Sequence, residues 1–214
     1  MKINVKTIAK HIKANLGFLV FVLIMFASRS SLADWYHVPS GSMLPTIVEG
    51  DRVFVDKTAY QLQIPFTDIN IVETGAPERG DIVVFFSPKD GTRLIKRLVG
   101  VPGDVIEMRN NRLILNGKSV DYHHQENQLI ESLGKGHSIQ VIPRLNGSGN
   151  FREVIVPDEH YLVLGDNRNN SVDSRYYGFV PRHLLQGKAT TVVFSNDLES
   201  NFSFRTERTL KPLI

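Results

Sequence analysis

The chain contains no cysteine, which excludes disulfides, thiolate metal sites and a cysteine nucleophile, and leaves its redox compartment open. Stability must come from packing, and 42% hydrophobic residues in a chain of 214 supply enough for a real core. Internal repeats, low-complexity stretches and an arginine-rich stripe are also missing. The excess of positive charge is confined to one place. Lys2, Lys6, Lys10 and Lys13 precede every acid, and without them the net charge of +3 disappears. A near-neutral body argues against nucleic acid as a partner. Helix signals are scarce, the clearest in the body being PRHLL at 181–185, where Pro181 suits a first turn.

Behind the lysines comes LGFLVFVLIMFA, residues 16–27, without a charge. Twelve apolar residues fit the h-region of a cleaved secretory signal, with Ser31 and Ala33 at the small-residue cleavage positions. They also fit a short membrane anchor whose flanking lysines snorkel to the interface. Either way the lysine cluster stays cytoplasmic and the body crosses. Trp35 and Tyr36 then stand where aromatic anchors sit, or pack in the core.

The rest reads as strands and turns. RVFVDK (52–57) alternates, DIVVFF (81–86) is a short apolar run, and 105–120 holds two strand-like runs with turns at Asn110-Asn111 and Asn116-Gly117. EVIVPDEHYLVLGDN and ATTVVFSND repeat the pattern near the C-terminus. Residues 121–150, polar and ending in NGSGN, look like an excursion from this β body.

Chemistry has few candidates. HVPSGSMLPT (37–46) carries Ser40 and Ser42, but a hydroxyl is a poor nucleophile without a base beside it, and Pro39, Ser40 and Gly41 alone make an ordinary turn. The histidines, His11, His37, His123, His124, His137, His160 and His183, form no triad-like motif and read as surface or packing residues. RLIKRLVGVPGD (93–104) sets Lys96 among Leu94, Ile95, Leu98 and Val99. On a strand Lys96 and Arg97 face opposite ways, so one of the pair points inward. An inward lysine has a lowered pKa and can take a proton from serine; an outward one is a charge on an edge strand. GDNRNNSVDSRYYG (165–178) reads by itself as a polar turn with Asp173 and Arg175 as a local ion pair.

Taken together, PSGSMLPT, RGDIVVF, IKRLVGVPGD and GDNRNNSVDSR follow the order and spacing of the bacterial type I signal peptidases, which this chain resembles. The resemblance implies a membrane-anchored serine protease with a Ser/Lys dyad: Ser42 as nucleophile and Lys96 as general base. It implies that the Ser40 hydroxyl helps the Ser42 backbone N–H hold the oxyanion, and that Ser171 orients the lysine amine with Gly165 as the small residue beside it. Asp173 and Arg175 match a supporting pair. Asn169 stands where the family usually has aspartate, which removes a charge there. Val38, Met43, Val84, Leu94 and Ile95 match the lining of shallow pockets for small side chains before the cut, although core packing explains apolar residues equally well.

The expected architecture is a mainly β catalytic core over 34–106 and 154–214, an inserted smaller β region at 107–153, and a tail with one transmembrane helix at 1–33. The expected activity is removal of signal peptides from exported precursors through an acyl-enzyme, on the outer side of the bacterial inner membrane. The lipid bilayer and those precursors are the partners, with no nucleic acid, metal or cofactor. Fourteen residues between Ser28 and Ser42 keep the site within about 50 Å of the anchor. Self-cleaving repressors share a Ser/Lys pair on a related fold but need a DNA-binding domain where this chain has its apolar segment.

Overall fold

The computed structural model describes residues 13–67, 69–142, 149–198 and 203–213. Lys2, Lys6, Lys10 and Asn146–Ser148 lie outside the described residues.

An apolar helix, Leu16–Ser31, leads directly into strand β1 (Ala33–His37). Among the described residues no helix is long and apolar enough to cross a membrane. Ala33, the expected cleavage position, is paired with Asp56 in the first rung of a β ladder.

The body is mainly β. Its large sheet adds β2 (Asp51–Asp56), β5 (Ile82–Phe86), β6 (Arg93–Gly100), β14 (His160–Leu164), β15 (Val180–Pro181), β16 (Leu185–Ser195) and β17 (Lys211–Pro212). The order is β1-β2-β16-β5-β6-β14-β15, with β17 pairing with β16. β2 alternates buried and less buried positions, as RVFVDK predicts for a strand with one covered face. β5 is buried on both faces: Ile82 and Val84 enter one apolar cluster and Val83 and Phe85 another, which accounts for its unbroken apolar run. β16 bends through two register shifts as it pairs with β2 and a third against β5.

Smaller sheets complete the body. β3 (Gln61–Gln63) and β4 (Asn70–Glu73) form a two-stranded ribbon. β13 (Phe151–Ile155), β7 (Val105–Arg109), β8 (Arg112–Leu115) and β9 (Lys118–Ser119) form a second sheet, in that order. The turns between β7, β8 and β9 are those expected: Asn110 and Asn111, then Asn116 and Gly117, all at positive φ. Residues 121–150 contain more order than their polar composition suggests, since β10 (Tyr122–Gln125), β11 (Gln128–Glu131) and β12 (His137–Ile139) make a three-stranded sheet.

The helix expected at 181–185 is reduced to one 3-10 turn, Arg182–Leu184, because Val180–Pro181 and Leu185 are taken by β15 and β16. A helical turn forms instead at Ser174–Tyr177, where the Asp173 carboxylate accepts the Arg175 backbone N–H and Gly178 supplies a positive φ at the exit.

Candidate active site

Ser42 is presented by a short turn held from both ends. Ser40 is extended, Gly41–Met43 forms one 3-10 turn, and Ile47 N–H donates to the Met43 carbonyl at 3.0 Å. Asp51, fully buried, accepts Val48 N–H at 2.9 Å and both arms of Arg208, which also reaches the Thr46 carbonyl. Gly41 and Met43 are buried while Ser42 keeps partial exposure, so the turn is anchored on its flanks and open at the serine.

The second wall is the loop after β14. Asn167 donates twice to the serine turn, from its backbone N–H to the Ser42 carbonyl at 3.1 Å and from Nδ2 to the Gly41 carbonyl at 3.0 Å. Gly165 explains how the two come so close: an added Cβ would collide with both the Ser42 carbonyl oxygen and Ser171 Oγ. Asp173 accepts the Gly165 N–H at 3.0 Å and two N–H groups of the Arg175 guanidinium, so this carboxylate is already paired.

Lys96 Nζ lies 2.6 Å from Ser42 Oγ and 3.0 Å from the Ile95 carbonyl, and the residue is only 3% exposed. No carboxylate lies within ion-pair distance of it among the described residues. Burial pushes its ammonium down to about 8, against the opposing pull of Asp173 and Asp166 and with a smaller push from Arg175. At mildly alkaline pH the amine is therefore largely neutral and within reach of the hydroxyl proton.

The expected division of the basic pair into one inward and one outward residue is overturned. Both faces of β6 are covered, and Arg97 is 1% exposed, even more deeply buried than Lys96. It grips Asp166 through Nε and Nη2, both at 2.9 Å. Asp166 also accepts Thr46 Oγ1 at 2.5 Å, tying this ion pair to the serine turn. Burial alone raises the Asp166 carboxyl, but Arg97 overrides it and holds the group below the usual carboxylate range.

A second buried pair lies behind the first. Arg168 meets Glu131 of β11 with Nη1 at 2.7 Å and Nη2 at 2.5 Å, and Tyr122 of β10 adds its hydroxyl to Glu131. His137 of β12 sits between the pairs, 3.3 Å from Glu131 and 3.8 Å from Asp166. It is thus a packing residue, as its sequence context suggests, but packed into charge rather than among apolar groups. Gln140 N–H donates to the Asp166 carbonyl and its own carbonyl accepts Arg168 N–H, so the excursion grips the catalytic-side loop directly. Sequence reasoning missed Arg97, Asp166, Arg168 and Glu131 because their partners lie between 37 and 69 residues apart.

The other expected residues fall as follows. Ser40 Oγ is 3.5 Å from Ser42 Oγ and exposed. Ser171 Oγ is buried with no hydrogen-bond partner, and its expected bond to the lysine amine is not formed. Asn169 Oδ1 accepts Ile142 N–H at 2.7 Å, a bond that needs no negative charge. Val38, Met43, Val84 and Ile95 come together in one buried cluster beneath the serine turn, whereas Leu94 packs against the cluster on the other side. Among the described residues no group of His, Asp and Glu is arranged to hold a metal ion.

The family profile described as "Signal peptidase, peptidase S26" matches residues 10–194. A "Signal peptidase I" of Pseudomonas fluorescens is 37% identical over 204 residues, covering 84% of this chain and 71% of that protein. One of Buchnera aphidicola subsp. Schizaphis graminum (strain Sg) is 33% identical over 229 residues, covering 83% and 73%. A "Signal peptidase I P" of Bacillus subtilis subsp. natto is 38% identical over 159 residues, covering 74% and 75%.

Proposed function

The chain belongs to the signal peptidase, peptidase S26 family, and on that premise we propose that it removes signal peptides from exported precursors with a dyad of Ser42 and Lys96. As a signal peptidase I it is a serine peptidase, a hydrolase. The observation that carries the dyad is the 2.6 Å approach of a buried, carboxylate-free amine to a partly exposed serine hydroxyl.

In this reading the neutral Lys96 amine accepts the Ser42 proton as Oγ attacks the carbonyl carbon before the cut. The electron pair of the carbonyl moves to its oxygen, where the Ser42 N–H and the Ser40 hydroxyl donate to it; one such donor contributes on the order of 10²–10³ in rate. The Lys96 ammonium then gives its proton to the departing amine, leaving the signal peptide esterified to Ser42. A water, deprotonated by the same amine, attacks the ester and releases the acid, and the proton returns to Ser42. Ser171, buried and unpartnered beside Gly165, is the hydroxyl assigned to orient the ammonium. Asp173 and Arg175 hold that wall, and Val38, Met43, Val84 and Ile95 supply the apolar floor that admits small side chains, while Leu94, packed on the other side, lies outside it.

The proposal includes the architecture: a catalytic core over 34–106 and 154–214, an inserted region at 107–153, and an N-terminal anchor. Supporting the anchor, the helix exposes Phe18, Phe21, Leu23, Ile24 and Phe26, leaving an apolar surface that water does not favour. Lysines ahead of it favour a cytoplasmic N-terminus with the body outside the inner membrane.

The test is incubation of the purified full chain with a precursor carrying Ala-x-Ala before its mature start, followed by sequencing of the new N-terminus. The reading expects a single cut after the second alanine, lost in Ser42→Ala. Cleavage by Ser42→Ala, or a cut elsewhere, would contradict it.

A further inference from the structure

Asn167 stands between two residues that are locked in place. Asp166 is gripped by Arg97 and Thr46, and Arg168 by Glu131, so the side chains on both sides of Asn167 are pinned in the buried charge layer. The backbone is tied as well. Gln140 N–H donates to the Asp166 carbonyl at 2.8 Å, and the Gln140 carbonyl accepts Arg168 N–H at 2.9 Å. Asn170 N–H closes on the Asn167 carbonyl at 3.0 Å. In this stretch, bridged in parallel to Gln140, successive side chains take opposite sides. Asp166 and Arg168 enter the charge layer, while Asn167, itself buried, reaches Gly41 in the serine turn.

The atom that Asn167 reaches gives the contact its meaning. The Gly41 carbonyl and the Ser42 N–H belong to one trans peptide plane, and across such a plane the two groups point in opposite directions. Nδ2 donates to the carbonyl at 3.0 Å, so fixing one end of the plane aims the other. The Asn167 N–H meets the Ser42 carbonyl at 3.1 Å and fixes the next plane in the same way. Leu44 N–H adds a weaker hold on the Gly41 carbonyl at 3.2 Å as it closes the 3-10 turn. Gly41 makes a clamp necessary: without a Cβ it passes easily between backbone conformations, and the plane that follows it is the easiest in the turn to rotate.

We propose that Asn167 is the positioning residue of the oxyanion hole, its side-chain amide holding the Gly41–Ser42 plane so that the Ser42 N–H meets the developing oxyanion. The proposal rests on the reading of Ser42 as nucleophile and extends it to the aim of the donor. Hydrogen bonds on the carbonyl side also polarise the peptide and strengthen its N–H as a donor. The charge layer thereby gains a task in the chemistry, as the mount for one amide. Asn167 touches no reacting atom; it acts through one peptide plane.

Asn167→Leu keeps the size of the side chain and removes the donor. On a soluble precursor peptide kcat should fall about 10–100-fold, part of what an oxyanion donor contributes, with KM within about twofold of the wild type. The acidic limb of kcat/KM should stay in place, because Lys96 keeps its surroundings. Two inhibitors separate aim from folding. A peptide ending in an alanine aldehyde takes the Ser42 oxygen onto its carbonyl carbon, the hydroxyl proton passes to Lys96, and the former carbonyl oxygen occupies the hole. The same peptide with its scissile amide reduced to CH2–NH has no such oxygen. Asn167→Leu should weaken binding of the aldehyde by the same factor as kcat/KM and leave binding of the reduced amide unchanged. Equal weakening of both, or an unchanged aldehyde affinity, would overturn the proposal. A shifted limb would place the effect on Lys96 and overturn it as well. Should the leucine variant fail to fold, Asn167→Ala reads the same pair of affinities. Aldehyde bound as tightly by Ser42→Ala as by the wild type would sink the dyad reading itself, and this inference with it.

Discussion

Lys96 and Arg97 are neighbours on one strand, equally cationic in water and both buried, yet the protein treats them in opposite ways. Arg97 meets a fully buried carboxylate with two hydrogen bonds and remains a permanent charge. Lys96 meets a hydroxyl and a carbonyl, and the two nearest acids are already engaged by Arg97 and Arg175. Burial with a partner makes a structural cation; burial without one makes a base. The difference lies in the partners: the buried carboxylates that act on Lys96, Asp166 and Asp173, are both held by arginines.

The largest effect is expected of Lys96→Arg. It keeps the charge but cannot supply a neutral amine, so the variant should fold and lose roughly 10³-fold or more in kcat/KM, measured on a precursor beside the wild type. Near-normal turnover would show that another residue is the base. Next comes Arg97→Met, which leaves the Asp166 charge buried and unpaired. The cost should be about 3–5 kcal/mol in urea unfolding, with activity falling because the Asp166 bond to Thr46 is disturbed. Arg97→Met combined with Asp166→Leu should recover much of that loss, since removing both partners removes the orphan charge. Equal destabilisation of the single and double variants would mean that packing, not charge, is what Arg97 supplies.

The third change runs the other way. Lys96→Met removes a buried ammonium and should stabilise the fold by roughly 3 kcal/mol near neutral pH, at the expense of all activity. The pH dependence follows from the lowered pKa. Below about 8 the lysine is charged folded and unfolded, and its burial cost is fully felt. Between there and 10.5 the folded amine is neutral while the unfolded one still binds a proton, so wild-type stability climbs with pH. The advantage of Lys96→Met should shrink over that window and vanish above it; a constant advantage from pH 7 to 11 would contradict the assignment.

Much of this was legible in the chain. Local signals carried β2, β5, β7, β8 and the asparagine turns between strands, because alternation and positive-φ residues act over a few positions. The proximity of Ser42 and Lys96 came from motif order, not from any local rule, since 54 residues separate them. Arg97 misled for a physical reason: alternation assigns opposite faces but does not reveal that the curled sheet covers both. The layer of Arg97, Asp166, His137, Glu131 and Arg168 was illegible because each charge looks exposed until its distant partner is known. The strands of 121–150 were obscured because His123, His124 and Gln125 point to water and leave little apolar pattern.

If Lys96 works as a neutral amine, it does so because it is buried without a carboxylate. The decisive experiment is kcat/KM of the wild-type enzyme on a soluble precursor peptide from pH 6 to 10. The account predicts a single acidic limb, with the rate rising about tenfold per pH unit and levelling near an apparent pKa of about 8. A limb near 6.5, the ordinary histidine value, or a rate independent of pH across the range, would contradict it.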